Sequence, residues 1–196
     1  MKNTLANFQK EAYNINVDIY IQKIQHLGLA DIREEHRQMF SIGDRIAHPL
    51  HGAGVIDGIE NRRINGVNRQ YYQFRLPNGG MEVMIPVDHS EEIGIRPIIS
   101  AEEADRLLGS LDKIEIDMTQ NWNRRYRENM LRIRSGDLKE VARVIKGLMA
   151  RDSEKGLSTG ERKMLRSAKQ ILISEIVLAK SCAYEAVEQC INDALA

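Results

Sequence analysis

The stretch "INGVNRQYYQFRLPNGGMEVMIP", residues 64–86, decides the fold of the first half of the chain. It contains two turn signals: the Asn-Gly pair suits a two-residue type I′ hairpin, and the glycines of "LPNGG" permit positive φ angles. The runs beside these turns are short and rich in β-branched and aromatic residues, which is typical of strands. They predict strands over residues 54–61, 69–76 and 81–86.

The same texture extends over residues 40–95, where "HPLHGAG" supplies a further proline and two glycines between apolar runs. About five short strands in this length are too few for a β-sandwich. The pattern therefore predicts a small, strongly bent antiparallel β barrel of the SH3 or Tudor kind.

After Pro97 the pattern becomes helical. Two capping boxes, Ser100 with Glu103 and Ser158 with Glu161, mark helix starts. Apolar residues from 138 to 149 recur three and four apart, as one face of an amphipathic helix requires. Five helices are predicted, over residues 101–110, 119–133, 138–153, 159–180 and 183–194. The fold class is thus α+β, with the β barrel followed by an all-helical domain.

Composition excludes several classes of protein. The 196 residues have a formal net charge of zero, 42% hydrophobic and 29% charged residues, which is typical of a soluble globular chain. No apolar run is long enough to span a membrane, and the start of the sequence has no apolar run behind its lysines as a secretory signal would, so we expect a cytoplasmic protein. Cys182 and Cys190 fit neither a disulfide framework nor a CxxC metal site, and we expect both to be reduced core thiols.

A search for catalytic motifs indicates that the protein is not an enzyme and binds no cofactor or metal. The chain contains no GxxxxGK[ST], GxGxxG, HExxH or GxSxG motif in a suitable context. His48 and His51, three apart in a turn-rich loop, leave one alternative open, a metal-dependent enzyme. Because no cysteine and no obvious third ligand lie nearby, the simpler interpretation is that they shape the loop.

The stretch "TQNWNRRYREN", residues 119–129, places the only tryptophan, Trp122, beside a run of arginines. Residues 119–134 contain five arginines and one acid, a local positive excess in a neutral chain. Helical spacing puts Arg125 and Asn129 on the face of Trp122, and Arg124 with Arg127 on another. Two interpretations stay open: Trp122 is a core anchor, or the indole and the arginines meet an anionic partner such as DNA.

The "NG" hairpin offers a second candidate surface. Arg62, Arg63 and Ile64 run into its turn and are expected at the end of an exposed ribbon. Arginine is enriched at interface hot spots, although solvation alone also explains exposed arginines. Met84, on the strand over residues 81–86, fits either the barrel core or a contact surface.

These residues resemble the CarD (also called CdnL) family of bacterial transcription regulators. The motifs "P.HG.G", "V.IP", "NW..R", "SGD...VA.V...L" and "GLS.GE..ML..A..IL..E" occur in order from about Met39 onward. The resemblance implies a polymerase-interacting β domain over residues 39–97 and a helical DNA-contacting domain over 98–196. Relatives begin near Met39, so residues 1–38 are expected to be an N-terminal extension or the product of a mis-set start codon.

The resemblance also implies residue roles. The β module, shared with the transcription-repair coupling factor, docks in that family on the RNA polymerase β subunit, and Arg62, Ile64 and Met84 fall at its contact positions. The helical domain touches promoter DNA near the upstream edge of the melted bubble. Trp122 matches a tryptophan that wedges into the minor groove. The matching basic residues are Arg124, Arg125 and Arg127.

Residues and resemblance together predict a non-enzymatic transcription regulator that stabilises the promoter open complex. Its partners are the RNA polymerase β subunit and promoter DNA, and it works as a monomer held near the nucleoid by the polymerase. The alternative is a pure protein–protein interaction module on the polymerase, without direct DNA contact.

Overall fold

A computed structural model describes residues 40–64, 66–77, 80–117, 119 and 121–195. The extension expected over residues 1–38 lies outside these described residues. Residues 38–196 form one compact unit, so the β module and the helices belong to the same body. None of the helices in the described ranges is both long enough and apolar enough to cross a lipid bilayer.

The β module is a five-stranded antiparallel sheet with the strand order β4-β3-β2-β1-β5. A 3₁₀ turn and a single helical turn, α1, connect β4 to β5. The strands are β1 (Arg45–His48), β2 (Gly52–Ile64), β3 (Val67–Arg75), β4 (Glu82–Pro86) and β5 (Arg96–Pro97), and α1 is Ser90–Ile93.

The Asn-Gly turn forms as its sequence predicts. Ile64 lies opposite Val67, so two residues connect β2 to β3. Gly66 has a φ of 82°, a value that glycine adopts without steric cost. The hairpin register that this turn sets fixes which side chains of both strands share a face.

One face of the sheet forms the core of the β module. Tyr72 and Phe74 on β3 are fully buried, together with Ile56 on β2 and Ile85 on β4. Since side chains alternate along a strand, the neighbours of these residues lie on the opposite, outer face. The predicted β module is therefore confirmed as an antiparallel sheet with one buried and one outer face.

Five further helices follow the sheet, as predicted, and both capping boxes form at Ser100 and Ser158. The short helix α1 was not predicted, because one helical turn is too short to show a period. The helices are α2 (Ala101–Leu108), α3 (Trp122–Arg134), α4 (Leu138–Lys155), α5 (Thr159–Lys180) and α6 (Tyr184–Leu195). The α+β fold class is confirmed.

The helices enclose a second core, to which α4 and α5 contribute most of the buried residues. Ile145 and Leu148 of α4 pack there with Leu172 and Ile176 of α5, all fully buried. The prediction that both cysteines are core thiols is wrong for Cys190, which is exposed. The wide apolar face of α5 packs against α2, α4 and α6.

Helix α5 also joins the helical core to the sheet. Ser174 Oγ accepts a hydrogen bond from the Ala53 backbone N–H at 2.9 Å. A side chain at Gly52, which has a φ of 88°, would place its Cβ 2.3 Å from the same oxygen. Glycine is thus required there by both conformation and space.

Glu175 makes the second connection between sheet and helices. Its carboxylate is buried and accepts hydrogen bonds from two residues. Arg96 Nη2 of β5 donates to Oε2 at 3.0 Å, and the Ile99 backbone N–H donates to the carboxylate at 3.1 Å. Arg96 Nη2 also donates to the Gly136 carbonyl at 2.9 Å, between α3 and α4. A bidentate arginine–carboxylate pair with a buried carboxylate restricts both partners to one geometry.

Candidate functional site

The structure places the three candidate residues of the β module on one surface, the outer face of the sheet. Arg62 and Ile64 are two apart on β2, and Met84 on β4 lies opposite Gln73 of β3. The register puts Gln73 on the same side as Arg62, because paired residues of antiparallel strands share a face. The candidate polymerase contacts therefore lie on the same face of the sheet, on the side away from the core.

Hydrogen bonds link this outer face across the strands. The Glu60 carboxylate accepts from Arg62 Nε and, at 2.6 Å, from Gln73 Nε2. Ile64 and Val67, opposite each other at the hairpin end, both have exposed apolar side chains. The face thus presents an ordered polar row ending in an apolar tip. Val67 was not singled out from the sequence, although its pairing with Ile64 follows from the two-residue turn.

Trp122 is the first residue of α3, and it is held in a partly exposed position. Its side chain is 45% exposed, which contradicts the interpretation of Trp122 as a core anchor. The indole Nε1 donates to Ser158 Oγ at 3.2 Å, and the ring stacks on Tyr126 with centroids 5.5 Å apart. A Cβ at Gly160 would lie 3.8 Å from the indole, so one ring edge rests on the start of α5. The indole is oriented by its neighbours while much of its surface stays accessible.

Arg125 is buried, unlike the nearby Arg124 and Arg127. Its side chain is 2% exposed, and Nε and Nη2 donate to Glu161 Oε1 at 3.0 and 2.6 Å. Nη1 donates to the Thr119 carbonyl at 2.9 Å. Arg151 Nε approaches the same Glu161 oxygen at 3.4 Å. Arg125 therefore fixes the start of α3 against the start of α5 and presents almost no surface to a partner.

The protonation of Glu161 depends on these contacts. Burial raises the pKa of its carboxyl, but hydrogen bonds from Arg125 and Ser158 outweigh burial and hold the pKa below its usual value. Ser158 Oγ donates to Glu161 Oε2 at 2.8 Å and accepts from Trp122. A continuous network thus connects Arg125 to the indole through Glu161 and Ser158.

Arg124 and Arg127 lie on the solvent side of α3. Arg124 Nε donates to Glu128 at 2.7 Å, one turn further along the helix. Arg127 Nε makes a long 3.4 Å hydrogen bond to the Asn123 carbonyl. Exposed pairs of this kind are weak and exchange readily with other partners, so both guanidinium groups are accessible to an anion.

Two residues beside the indole were not identified as site residues from the sequence. Tyr126 stacks on Trp122, and Ser158 accepts its N–H. The i, i+4 spacing of Trp122 and Tyr126 was a usable signal. The contact with Ser158 depends on the packing of α3 against α5, which sequence spacing does not show.

The two histidines of the β1–β2 turn form a pair in which His48 is buried and His51 is partly exposed. The His48 ring centroid is 4.4 Å from that of His51, and His48 Nδ1 accepts the Leu50 backbone N–H at 3.0 Å. Burial, reinforced by the nearby His51, lowers the pKa of His48 to about 3. Within the described residues no three metal-binding side chains come together. The pair packs the turn, in agreement with the loop-shaping interpretation.

Comparison with known proteins connects both surfaces to one family. The family model described as the CarD-like/TRCF RID domain matches residues 40–99, and the model of the CarD C-terminal domain matches residues 106–192. A protein of Bacillus subtilis (strain 168), named "Putative transcription factor YdeB", is 37% identical over 142 residues, 72% of this chain and 93% of that protein. The chain belongs to the CarD family. As a CarD-family protein it is a member of a family of transcription factors, and both candidate surfaces lie within the matched residues.

Proposed function

We propose that this CarD-family protein binds the RNA polymerase β subunit through the outer face of its sheet and promoter DNA through the start of α3. In this proposal it is a monomer without catalytic activity that stabilises the open complex. Residues 39–97 act as the polymerase-interacting domain and residues 98–196 as the DNA-contacting domain.

The observation that carries the proposal is the half-exposed, oriented indole of Trp122. An indole fixed by Ser158 and Tyr126 loses little conformational entropy when it contacts a base or a groove edge. An apolar wedge beside phosphate-binding cations is the arrangement that proteins use to open a minor groove. Arg124 and Arg127 supply these cations, and Arg125 contributes by positioning the helix.

Tethering explains how so small a patch is sufficient. A few exposed cations give weak and salt-sensitive affinity for DNA. When the sheet holds the protein on the polymerase, the start of α3 samples the promoter at a high effective concentration. Because Glu175 and Ser174 join sheet and helices, the indole keeps a fixed position relative to the polymerase-binding face.

The lifetime of the open complex on a defined promoter tests the DNA half of the proposal. An aromatic contact to a base contributes about 1–3 kcal/mol, so Trp122→Ala should shorten the lifetime gained from the protein by roughly 5- to 150-fold. Binding of the variant to polymerase without DNA should be unchanged. Equal lifetimes with the wild type and a folded Trp122→Ala protein would instead favour the pure protein–protein interaction module.

Polymerase binding tests the other half. Arg62→Glu reverses a charge on the outer face and puts it beside Glu60, so we expect loss of binding to the isolated β subunit. Arg63→Glu is the matched control, because Arg63 is the next residue of β2 and its side chain leaves the other face. If both variants bind as the wild type does, the outer face is not the polymerase surface.

A further inference from the structure

The solvent side of α3 continues beyond the residues assigned above. Arg127, Leu131 and Arg134 follow one another at spacings of four and three residues, so they lie on one stripe of the helix. All three are exposed, while Arg125, Asn129 and Ile133 occupy the buried side of α3. The stripe, defined as Arg127, Leu131 and Arg134, runs to the last residue of the helix.

Leu131 is the unexplained member of the stripe. It is 69% exposed, more than any other of the exposed large hydrophobic side chains among the described residues. A single leucine between two arginines is too small to be the apolar centre of a stable protein–protein interface, which buries about 800 Å² on each partner. The stripe is therefore dominated by its two cations, and its partner should be anionic.

Three acids on or beside this part of α3 are already paired elsewhere. Glu128 binds Arg124, while Glu140 lies 3.5 Å and Asp117 4.0 Å from the Arg132 guanidinium. Among the described residues, neither Arg127 nor Arg134 has an ion-pair partner. The stripe thus keeps two positive charges that no acid among the described residues neutralises.

The length of the stripe suits the backbone of a DNA strand. Seven residues of α-helix separate Arg127 from Arg134, which is a rise of about 10.5 Å. Phosphates on one strand of duplex DNA rise by only about 3.4 Å each along the axis, so two arginines at this separation can each reach a different phosphate of the same strand. An apolar side chain between them would face the sugars, which carry no charge.

We propose that Arg127, Leu131 and Arg134 follow one strand of the promoter, with both arginines on phosphates and Leu131 against the intervening deoxyribose. This inference rests on the proposed function and extends it, because it adds Arg134 and Leu131 to the DNA contacts at the end of α3 away from Trp122. Phosphate contacts position a protein without reading sequence. The stripe therefore sets the orientation of α3 on the duplex, independently of the groove contact.

The test measures how tightly the protein binds preformed polymerase–promoter complexes at several salt concentrations. Each lost phosphate contact reduces the slope of log affinity against log salt by about 0.9. For Arg134→Ala, the loss of affinity relative to the wild type should thus be about three- to fourfold larger at 50 than at 200 mM salt. Arg134→Lys should restore most of the slope, and Arg106→Ala, an exposed arginine on α2, should leave it unchanged.

Leu131→Ala should weaken binding at all salt concentrations without changing the slope, since it removes an uncharged contact. An unchanged slope with Arg134→Ala overturns the inference, and so does an equal loss of binding to polymerase without DNA. If Trp122→Ala still shortens the open-complex lifetime in that case, the proposed function stands without the stripe. If neither variant has an effect, the DNA-binding function itself fails.

Discussion

The two sides of α3 use the same residue type for opposite purposes. Arg124 and Arg127 lie in solvent with weak partners, whereas Arg125 between them is buried against Glu161. The four residues "RRYR" therefore include both the accessible cations and the buried arginine that holds the helix in place. The two roles differ because the arginines lie at different positions around the helix, and because only Arg125 among them meets the Glu161 carboxylate of α5. Charge density along a sequence thus overstates the charge that a partner can reach.

The variant with the largest expected effect on stability is Arg125→Ala, which tests this contrast. Removing one partner of a buried ion pair leaves an uncompensated charge, which typically destabilises a protein by about 3–5 kcal/mol. Because Arg151 approaches the same Glu161 oxygen, we expect a value near the lower end in urea unfolding. Arg127→Ala, on the exposed side, should change the free energy of unfolding by no more than about 0.5 kcal/mol. Equal losses for both variants would contradict the division of α3 into two sides.

The pH dependence of a second variant, Arg125→Met, sharpens the contrast. In the wild type the pKa of Glu161 lies below its usual 4.5, so its stabilising contribution is complete above that pH and is lost as pH falls through the folded pKa. In Arg125→Met we expect burial, no longer opposed by the guanidinium, to raise the pKa of Glu161, so that the charged carboxylate destabilises the fold.

The stability gap between wild type and Arg125→Met should therefore be largest near about pH 7, and it should shrink as pH falls from the raised pKa of Glu161 in the variant to its lowered pKa in the wild type. Urea unfolding at several pH values measures it. The buried His48, whose pKa is about 3, titrates in both proteins and cancels from the difference. A gap that is constant with pH would show that Arg125 acts by packing alone.

The smallest expected effect concerns Ser158, where the buried network meets the exposed indole. Ser158→Ala removes the N-cap of α5 and should lower the free energy of unfolding by about 0.5–2 kcal/mol. It also removes the acceptor of the Trp122 N–H, so the fluorescence of the only tryptophan should become easier to quench with acrylamide. Ser100→Ala is the matched control, since it removes the same kind of capping box from α2. If both variants change quenching equally, Ser158 does not orient the indole.

Local signals in the sequence were sufficient for most of the fold. The Asn-Gly turn set the β2–β3 register, and the capping boxes located the starts of α2 and α5 within the residues that form them. Each of these features is determined by residues at most three or four apart. A structural feature that depends only on neighbouring residues can be predicted from the sequence pattern of those residues.

The candidate site was harder to predict, because its decisive contacts join distant residues. Arg125 is 36 residues from Glu161, and Arg96 is 79 residues from Glu175. From spacing alone, Trp122 could equally have been the buried member of the face that it shares with Arg125. The tryptophan lies at the helix end, where that face leaves the core, and only the packing of α3 against α5 reveals this.

The buried connection between sheet and helices has a consequence for where on a promoter the protein can act. With Gly52 against Ser174 and Arg96 against Glu175, the outer face of the sheet and the indole are two fixed points of one body. A polymerase that holds the first point thereby sets the second, and one base pair of duplex corresponds to about 3.4 Å. In the proposed complex, the protein contacts the promoter at a constant number of base pairs from the polymerase. The fixed distance between its two contact surfaces, and not recognition of a DNA sequence, sets this position.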